Sequence, residues 1–367
     1  MDSHQATLEE DVTLRDGQTS SSLTGRTSGL PLLQSVAGGL SATLRELAIR
    51  TSPAWVAYSV PMVGGGHELC CGNSWDGSVS GFCGECQLED THGTSVHGGG
   101  RRDHRQAELE PSGSLLVFLR IENRVVERVR AFSEDCRIDA GGRTVYLLSG
   151  VGPSESVTVL ASLATGSGGG LVSAAARKQV SNGAVLAIAL HAHPAADHAL
   201  DRFVAPGQPD QLRDHAAFWL ASVRGHAGYE ALRRLARTDS DDTFRRKLMF
   251  DLYVSKDPQA VDTLIKSAQS DPSPGVRGQA LFWLAQKASQ KAAPAISEAI
   301  ERDPDTEVKK RAVFALSQLP KDQAVPLLIH VALSNANPAV RKTAMFWLGQ
   351  SKDPRALAFF EQILTAP

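Results

Sequence analysis

The sequence predicts an all-α right-handed α-solenoid over residues 171–367, preceded by a small β-rich α+β domain. Three observations lead to this prediction. Six segments of the second half repeat with a period of 32 residues, and apolar residues recur at helical spacing within each segment. Proline residues mark the boundaries between the predicted helices. The first half instead contains runs of valine, tyrosine, phenylalanine and leucine that are typical of strands.

Composition and charge set limits on the function. The chain has 367 residues, 42% of them hydrophobic, so it is long enough to bury the cores of two or three domains. Its 38 basic and 40 acidic residues give a formal net charge of -2, which argues against a nucleic-acid partner. No segment approaches the roughly 18 uninterrupted apolar residues of a transmembrane helix, so we expect no membrane span.

The start of the chain bears on where the protein resides. Residues 1–5 contain neither the positively charged region nor the apolar region that opens a signal peptide. We therefore expect a cytoplasmic protein. If the true start of translation lies upstream, an exported or periplasmic protein is the alternative.

The first elements follow from composition and spacing. Residues 1–35 are rich in serine, threonine, glycine and acidic residues, which predicts a disordered arm. Residues 36–165 are predicted to form the small β-rich, cysteine-containing domain. Within it, three leucines recur at helical spacing and predict a short helix over residues 40–50.

Strands and a second helix complete the predicted N-terminal domain. The predicted strands cover residues 55–63, 115–121, 125–132 and 144–148. A three-residue turn at 122–124 makes the second and third of these a hairpin. A helix is expected from about Ser154 to Ala164, and the glycine-rich run at 166–170 is predicted to be a joint before the solenoid.

The cysteines carry the main chemical signal of this domain. Cys70 and Cys71 are followed by a Cys-x-x-Cys motif formed by Cys83 and Cys86, and His67 lies three residues before the first cysteine. Two such pairs could hold a structural zinc ion, with His67 as an alternative ligand. The same cysteines could instead form disulfides in an exported protein, or remain free thiols. Apart from this zinc ion, we expect no cofactor.

The repeat has no insertion in any of its six segments. Position 0 of the segments is occupied by Val180, Leu212, Phe244, Val276, Val308 and Val340. Small or aliphatic residues at positions +4 and +8 predict the buried face of a first helix. A column at position +20 predicts the core of a second helix, and its members are Leu232, Leu264, Ile296, Leu328 and Phe360.

Aromatic residues occupy two further columns of the first helix. At position +6 the last five segments carry phenylalanine, from Phe218 to Phe346, so the helix is apolar over most of its circumference. This predicts that the rings are buried between neighbouring helices. At position +7, Trp219, Trp283 and Trp347 are predicted core residues. The alternative is that the tryptophans line a groove and contact a partner.

Two charged columns recur at the repeat period. The basic column at position +1 consists of Arg213, Arg245, Arg277, Lys309 and Arg341, and the column at position -5 consists of Asp239, Asp271, Asp303 and Asn335. We predict that the two columns pair along the stack and fix the register of the repeats. A basic stripe that binds a ligand is the alternative.

These features together resemble a known repeat family. Asp271-Pro272, followed by Val276-Arg277 and a helix patterned with alanine and leucine, resembles HEAT repeats, in particular the short HEAT-like units named after phycobilisome lyases. The resemblance covers about half of the chain, and together with the domain ahead of it the chain is similar to a bacterial type of HEAT-repeat protein. It implies a solenoid, whereas function varies, because such repeats occur in adaptors, transport receptors, bilin lyases and a di-iron hydroxylase.

Sequence motifs give no support for an enzyme. Hydroxylases built from such repeats bind iron through His-Glu pairs on the helices, and the one such pair here, His67-Glu68, lies outside the repeats. Neither a Gly-x-x-x-x-Gly-Lys phosphate loop nor a Gly-x-Ser-x-Gly elbow is present. We therefore predict a non-enzymatic scaffold or adaptor that binds another protein or peptide. The predicted contact surface is the outward side of the second helices, with Lys266, Glu298, Arg302 and His330.

Two alternative functions remain from the sequence. The family resemblance implies a lyase or chaperone-like protein that acts on a tetrapyrrole or on a protein-bound prosthetic group. The disulfide interpretation of the cysteines leads instead to an exported structural protein of the cell envelope.

Overall fold

The computed structural model describes residues 12–16, 19–23, 32–36, 38–50, 53–64, 86–89, 113–134, 138–287 and 291–365. The chain forms two compact units, Met1–Phe203 and Val204–Pro367. The first unit combines sheets with helices and the second consists of paired helices, which confirms the predicted fold class. In the described part of the chain, no helix is long and apolar enough to cross a membrane.

The first unit is built around a mixed five-stranded sheet. Its elements in chain order are β1 (Val12–Asp16), β2 (Thr19–Leu23), β3 (Leu32–Ser35), α1 (Leu40–Arg50), β4 (Ala54–Pro61), β5 (Cys86–Gln87), β6 (Ser114–Glu122), β7 (Val125–Ser133), β8 (Ile138–Asp139), β9 (Thr144–Ser149), α2 (Pro153–Thr165), α3 (Arg177–Leu190) and α4 (Pro194–Phe203). The sheet has the strand order β3-β9-β4-β6-β7. Strand β6 is antiparallel to β4 and β7, whereas β9 is parallel to β3 and β4.

The predicted hairpin is confirmed by β6 and β7. Its turn contains Asn123 and Arg124 with φ angles of 52° and 68°, and a two-residue hairpin of this type requires positive φ at both positions. Trp55 and Phe132 both pack edge-to-face against Phe118, with ring centroids 6.4 and 5.9 Å apart. These three rings lie at the centre of the hydrophobic core of the sheet.

The N-terminal arm differs from the sequence prediction. Within residues 1–35, β1 pairs with β2 and β3 pairs with β9, whereas the sequence predicts a disordered arm over this range. The physical reason is visible in β3, where the side chain of Leu33 is 73% exposed. Strand β3 is held by backbone hydrogen bonds to β9, at the edge of a sheet that other parts of the chain build. Amino-acid composition carries no information about such bonds.

The first helical pair, α3 and α4, belongs to the first compact unit. Helix α3 packs on β7 at Gly183, where an added Cβ atom would lie 2.1 Å from the carbonyl oxygen of Val129. The chain after α3 is also bonded to the end of β4, because the N–H of Ala192 donates to the carbonyl oxygen of Pro61 at 2.9 Å. The division between the compact units therefore follows this pair, whereas the sequence placed the start of the solenoid at residue 171.

The glycine-rich run at 166–170 follows α2 directly. Gly166 adopts a left-handed conformation with φ of 73°, and its N–H ends the helix by donating to the carbonyl oxygen of Leu163 at 3.2 Å. Just beyond the run, the carbonyl oxygen of Leu171 accepts from the N–H of Val126 at 2.7 Å. The chain is therefore bonded to β7 immediately after these glycines.

Five helical pairs form the second unit. They are α5 (Asp210–Val223) with α6 (Gly225–Thr238), α7 (Asp242–Val254) with α8 (Ala260–Ser270), α9 (Pro274–Gln286) with α10 (Ala292–Arg302), α11 (Thr306–Ser317) with α12 (Lys321–Ser334), and α13 (Pro338–Gln350) with α14 (Pro354–Thr365). The predicted columns at +4 and +8 are buried in every first helix. The column at +20 is buried in each repeat from Leu232 to Leu328. In the last repeat, Phe360 at this position is half-buried and its neighbour Phe359 is buried.

An Arg–Asp ladder joins successive pairs of the second unit. Its buried ion pairs are Arg213 with Asp239, Arg245 with Asp271, and Arg277 with Asp303. The predicted pairing of the two charged columns is therefore confirmed for these repeats. The ladder ends where Asn335 takes the next acidic position. There Lys309 donates to the carbonyl oxygen of Glu301 at 2.7 Å, and Arg341 donates to the carbonyl oxygen of Asn335, also at 2.7 Å.

Candidate functional site

A continuous row of aromatic rings crosses the first helices of the second unit. We call this set the aromatic row, and its members in order of contact are Phe218, Phe250, Trp283, Phe282, Phe314, Trp347 and Phe346. Each ring contacts the next, with centroid distances between 4.8 and 6.3 Å. The row therefore extends without interruption over α5, α7, α9, α11 and α13.

The phenylalanines of the row are not buried as the sequence predicted. Phe250 and Phe346 are 38% and 56% exposed, and Phe218, Phe282 and Phe314 are half-buried. Successive residues are about 100° apart around a helix, so position +6 lies about 200° from the buried position +4. The phenylalanines therefore lie on the opposite side of each first helix. This angular offset was the signal in the sequence that could have placed them there.

The tryptophan column at +7 is divided between core and surface. Trp219 is 8% exposed, in agreement with the predicted core role, whereas Trp283 and Trp347 are half-buried and belong to the aromatic row. In α7 the same column is occupied by Asp251. A carboxyl group is much smaller than an indole, so this repeat leaves space that a tryptophan would fill.

A cavity of about 400 Å³ opens at this position between α5, α7 and α9. Its lining residues are Asp214, Phe218, Arg246, Lys247, Phe250, Asp251, Gln279 and Trp283. Three of them belong to the aromatic row, so the cavity is continuous with the row. Its walls are aromatic, and its polar groups come from charged and amide side chains.

Asp251 is the most unusual polar group of the cavity. Its side chain is buried and makes no hydrogen bond with another described residue. Burial raises the pKa of Asp251 well above its usual range, and the negative charge of Asp214 acts in the same direction, while Lys247 opposes the shift. In its protonated form Asp251 can donate a hydrogen bond.

Other groups around the cavity are also without partners among the described residues. The indole Nε1 of Trp283 and the Oδ1 oxygen of Asp214 are buried and form no hydrogen bond there. The Oδ2 oxygen of Asp214 pairs with the ammonium group of Lys247. Arg246 is exposed and forms no ion pair with another described residue. The cavity therefore offers a ligand two donors, the indole N–H of Trp283 and the guanidinium group of Arg246, and one acceptor, Oδ1 of Asp214.

Comparison with known proteins identifies a repeat family in the last part of the chain. A family model described as HEAT repeats matches residues 261–334 and 293–367. Residues 261–367 are HEAT repeats. No curated protein sequence matches the chain.

Several solved structures are similar to the chain that carries these HEAT repeats. The complex of CpcE and CpcF of phycocyanin lyase from Nostoc sp. is 24% identical, with 42% of this chain and 99% of that chain covered and a TM-score of 0.32. The Escherichia coli protein YibA is 26% identical over 46% of this chain and 64% of its own, with a TM-score of 0.31. Human deoxyhypusine hydroxylase in complex with glycerol is 15% identical over 57% and 76%, with a TM-score of 0.29.

The residues predicted to contact a partner lie on the second helices. Lys266 lies on α8, Glu298 and Arg302 on α10, and His330 on α12. Glu298 accepts hydrogen bonds from Gln269 at 2.8 Å and from Arg302 at 3.1 Å. None of the four predicted residues lines the cavity, which is formed by first helices. Their role in binding stays a prediction.

The predicted zinc or disulfide site lies outside the described residues. This applies to His67, Cys70, Cys71 and Cys83, and for Cys86 the structure describes the backbone, which pairs in parallel with Ile138. The zinc and disulfide interpretations both stay predictions. Among the residues that the structure does describe, no three histidine, cysteine, aspartate or glutamate side chains are close enough to hold a metal ion.

A buried hydrogen-bonded chain in the first unit was not predicted. The imidazole Nδ1 of His191 lies 2.6 Å from the carbonyl oxygen of Ala187, which can only accept, so Nδ1 carries the proton. In the neutral ring, Nε2 then accepts from the hydroxyl of Ser156 at 2.8 Å. The hydroxyl of Tyr58 donates to Ser156 at 2.8 Å, and burial raises the pKa of Tyr58 so that it keeps its proton.

This chain connects three elements rather than exposing a nucleophile. Tyr58 lies on β4, Ser156 on α2, and His191 directly after α3. Ser156 and His191 have no exposed surface, so a substrate cannot reach the serine oxygen in this conformation. The residues are far apart in sequence and match no motif, so spacing gave no signal for their contact.

Proposed function

We propose that the second unit is a protein-binding module and that the aromatic row is its contact surface. The observation that carries this proposal is the continuity of the row across five successive first helices. Half-exposed aromatic rings offer large contact areas and are prominent among the residues that dominate binding energies. Covering them with a partner removes apolar surface from water, which favours association.

The dimensions of the row suit an extended segment of the partner. Neighbouring packed helices lie about 8–10 Å apart, so five first helices extend over roughly 40 Å. An extended chain rises about 3.3 Å per residue, so about twelve residues would cover the row. Polar side chains border the row, among them Lys247 one turn before Phe250 and Gln318 one turn after Phe314. A narrow apolar row with polar margins suits a peptide better than a broad apolar interface.

Affinity capture with the full chain tests this proposal. A variant with Phe250→Ser and Phe346→Ser removes the two most exposed phenylalanines of the row, and it is compared with the unchanged chain in a native lysate of the source organism. We expect a protein that the unchanged chain retains and the variant loses. The melting temperatures of both proteins must agree, so that lost binding is not lost folding.

A second variant tests the surface predicted from the sequence. It reverses the charges of Lys266, Glu298 and Arg302 on the second helices and replaces His330 with aspartate. Loss of capture in this variant alone would assign binding to the second helices and contradict the proposal. A coloured ligand in the absorption spectrum of the purified chain, without a captured protein, would instead support the lyase or chaperone-like alternative.

A further inference from the structure

Basic side chains border the aromatic row. Arg246 in α7, Arg311 in α11 and Lys342 in α13 each lie about one helical turn before the phenylalanine that their helix contributes to the row. All three are exposed, and none forms an ion pair with another described residue. The stem of Arg311 lies across α9 at Gly278, where an added Cβ atom would be 2.6 Å from the Arg311 Cδ atom. The small glycine thus lets this cation approach the row.

Two acidic side chains on the same face are paired with lysines. Asp214 pairs with Lys247, and Glu307 pairs with Lys310 at 2.9 Å. Asp251 is buried in the lining of the cavity, where burial raises its pKa. Among the described residues one helical turn before these phenylalanines, Arg246, Arg311 and Lys342 are exposed, form no ion pair and are all positively charged.

The cavity adds further hydrogen-bond donors next to Arg246, at one end of this line of basic residues. The buried indole N–H of Trp283 has no partner among the described residues, and the lining also contains Arg246 and the amide of Gln279. A carboxylate that entered the cavity could accept from these groups while its methylene groups packed on Phe250. A ligand cation would instead meet the unpaired charge of Arg246 at the same position, whereas Lys247 is paired with Asp214.

We infer that the segment bound along the aromatic row is acidic, with glutamate or aspartate side chains between its apolar ones. This inference rests on the proposed function of the row. The apolar side chains of the segment cover the rings, and its carboxylates pair with Arg246, Arg311 and Lys342. One carboxylate occupies the cavity beside Trp283. Complementary charge of this kind selects the partner and speeds association.

A single-stranded nucleic acid is the other ligand that combines negative charge with stacking groups. Such ligands need aromatic faces that bases can cover. Here the rings of Phe218 and Phe250 are inclined by 13°, and those of Phe282 and Phe314 by 8°, so these faces are turned toward each other. The structure therefore favours a peptide, and an oligonucleotide belongs in the test as a competing ligand.

Fluorescence anisotropy with the full chain tests the inference. The probes are fluorescein-labelled peptides of about twelve residues in which leucine and phenylalanine alternate with glutamate, with glutamine or with lysine, and a labelled oligothymidylate. We expect the glutamate peptide to bind about tenfold more tightly than the glutamine peptide, and the lysine peptide and oligothymidylate to bind more weakly still. Raising the salt concentration should reduce the advantage of the glutamate peptide.

Two matched triple variants test which basic residues cause the preference for the glutamate peptide. The triple variant Arg246→Ser, Arg311→Ser and Lys342→Ser should bind the glutamate peptide no better than the glutamine peptide. The control Arg237→Ser, Lys256→Ser and Lys321→Ser removes the same charge from exposed positions outside the first helices and should keep the tenfold preference. Equal binding of the glutamate and glutamine peptides, equal losses in both triple variants, or tighter binding of oligothymidylate would overturn the inference.

The same experiment separates this inference from the proposed function. If Phe250→Ser with Phe346→Ser weakens all peptides while glutamate and glutamine peptides bind alike, the row binds peptides without preference for acids. If no peptide binds and these phenylalanine substitutions change nothing, both the proposed function and the inference fail.

Discussion

Arg277 donates two hydrogen bonds, of 2.7 and 3.0 Å, to the carboxylate of Asp303 in the following repeat. The same guanidinium group also donates to the carbonyl oxygen of Asp271 at 2.9 Å. Both side chains are buried, so each group depends on the other for its charge and its hydrogen bonds. One arginine thus holds the loop before its own helix and the loop before the next first helix.

Breaking this pair should destabilise the second unit. Asp303→Asn keeps the shape of the side chain but leaves a buried guanidinium group without a counter-charge, which we expect to cost about 3–5 kcal/mol of the free energy of unfolding. Urea denaturation followed by circular dichroism measures the loss. Glu298→Gln, which breaks the exposed pair with Arg302, is the control and should cost less than about 1 kcal/mol. Equal losses would contradict a special role for the buried ladder.

Substitutions in the hydrogen-bonded chain formed by Tyr58, Ser156 and His191 should lower the free energy of unfolding by different amounts. Ser156→Ala removes the central hydroxyl and leaves both the tyrosine O–H and the histidine Nε2 without partners, at about 2–4 kcal/mol. Tyr58→Phe leaves the bond between Ser156 and His191 intact and should cost about 1 kcal/mol. Thermal denaturation of the full chain ranks the variants. Ser162→Ala on the same helix should be nearly neutral, and a Tyr58→Phe cost above that of Ser156→Ala would refute the assigned donors.

Gly183 should tolerate no side chain. The Cβ atom of Gly183→Ala would lie 2.1 Å from a backbone oxygen of β7, so α3 must move away from the sheet. We expect a loss of at least about 3 kcal/mol in the free energy of unfolding, because the clash is with backbone and not with a flexible side chain. Gly349→Ala is the matched control, since nothing lies within 4 Å of its added Cβ atom and alanine favours helix by up to about 1 kcal/mol. A neutral result at Gly183 would mean that α3 does not pack this closely.

The first unit should lose stability in acid through Glu89. Burial alone would raise the pKa of Glu89, but hydrogen bonds from Arg120 at 2.8 Å and Trp55 at 2.9 Å outweigh it and lower the pKa below the ordinary value of 4.5. A carboxyl with a lowered folded-state pKa stabilises the fold at pH above its unfolded-state value and loses this effect as the pH falls through the folded-state value. Glu89 therefore contributes fully at neutral pH and progressively less below about pH 4.5.

Glu89→Gln provides the measurement for this pH dependence. The substitution should lower the melting temperature at pH 7, and the difference from the unchanged chain should shrink as the pH falls from about 5 to 3. Glu46→Gln on the exposed side of α1 is the control for the loss of one carboxylate. A difference that stays constant over this pH range would show that the ionised form of Glu89 is not what stabilises the sheet.

The sequence predicted those features that depend on the repeat itself. Arg277 and Asp303 stand in columns of opposite charge at one period, so their pairing follows from any regular stack of the repeats. The hairpin of β6 and β7 could also be predicted, because its sequence consists of two apolar runs joined by a short turn. Residues that the repeat brings to a surface were harder, because phenylalanine at position +6 of the last five segments indicated burial, although that position lies about 200° around the helix from the buried position +4. Phe250 and Phe346 were placed wrongly for this reason.

Contacts between distant, unrepeated residues could not be predicted. Ser156 and His191 meet because α2 packs against α3, and their local sequences contain no signal for this contact. The cavity beside Asp251 likewise depends on the side chains of three helices. In sequence, Asp251 appears merely as an interruption of the tryptophan column, and the space around it becomes visible once α5, α7 and α9 are assembled.

The end of the Arg–Asp ladder at Asn335 has a consequence for how the HEAT repeats open. In a repeat array, the interface between neighbours largely determines the cooperativity of unfolding. The junction of α11 and α13 lacks the ion pair that joins α7 to α9, so α13 and α14 can detach while the preceding helices remain folded. Backbone amides of α13 should accordingly exchange with deuterium before those of α9, and Asn335→Asp with Lys309→Arg should bring the two exchange rates closer together.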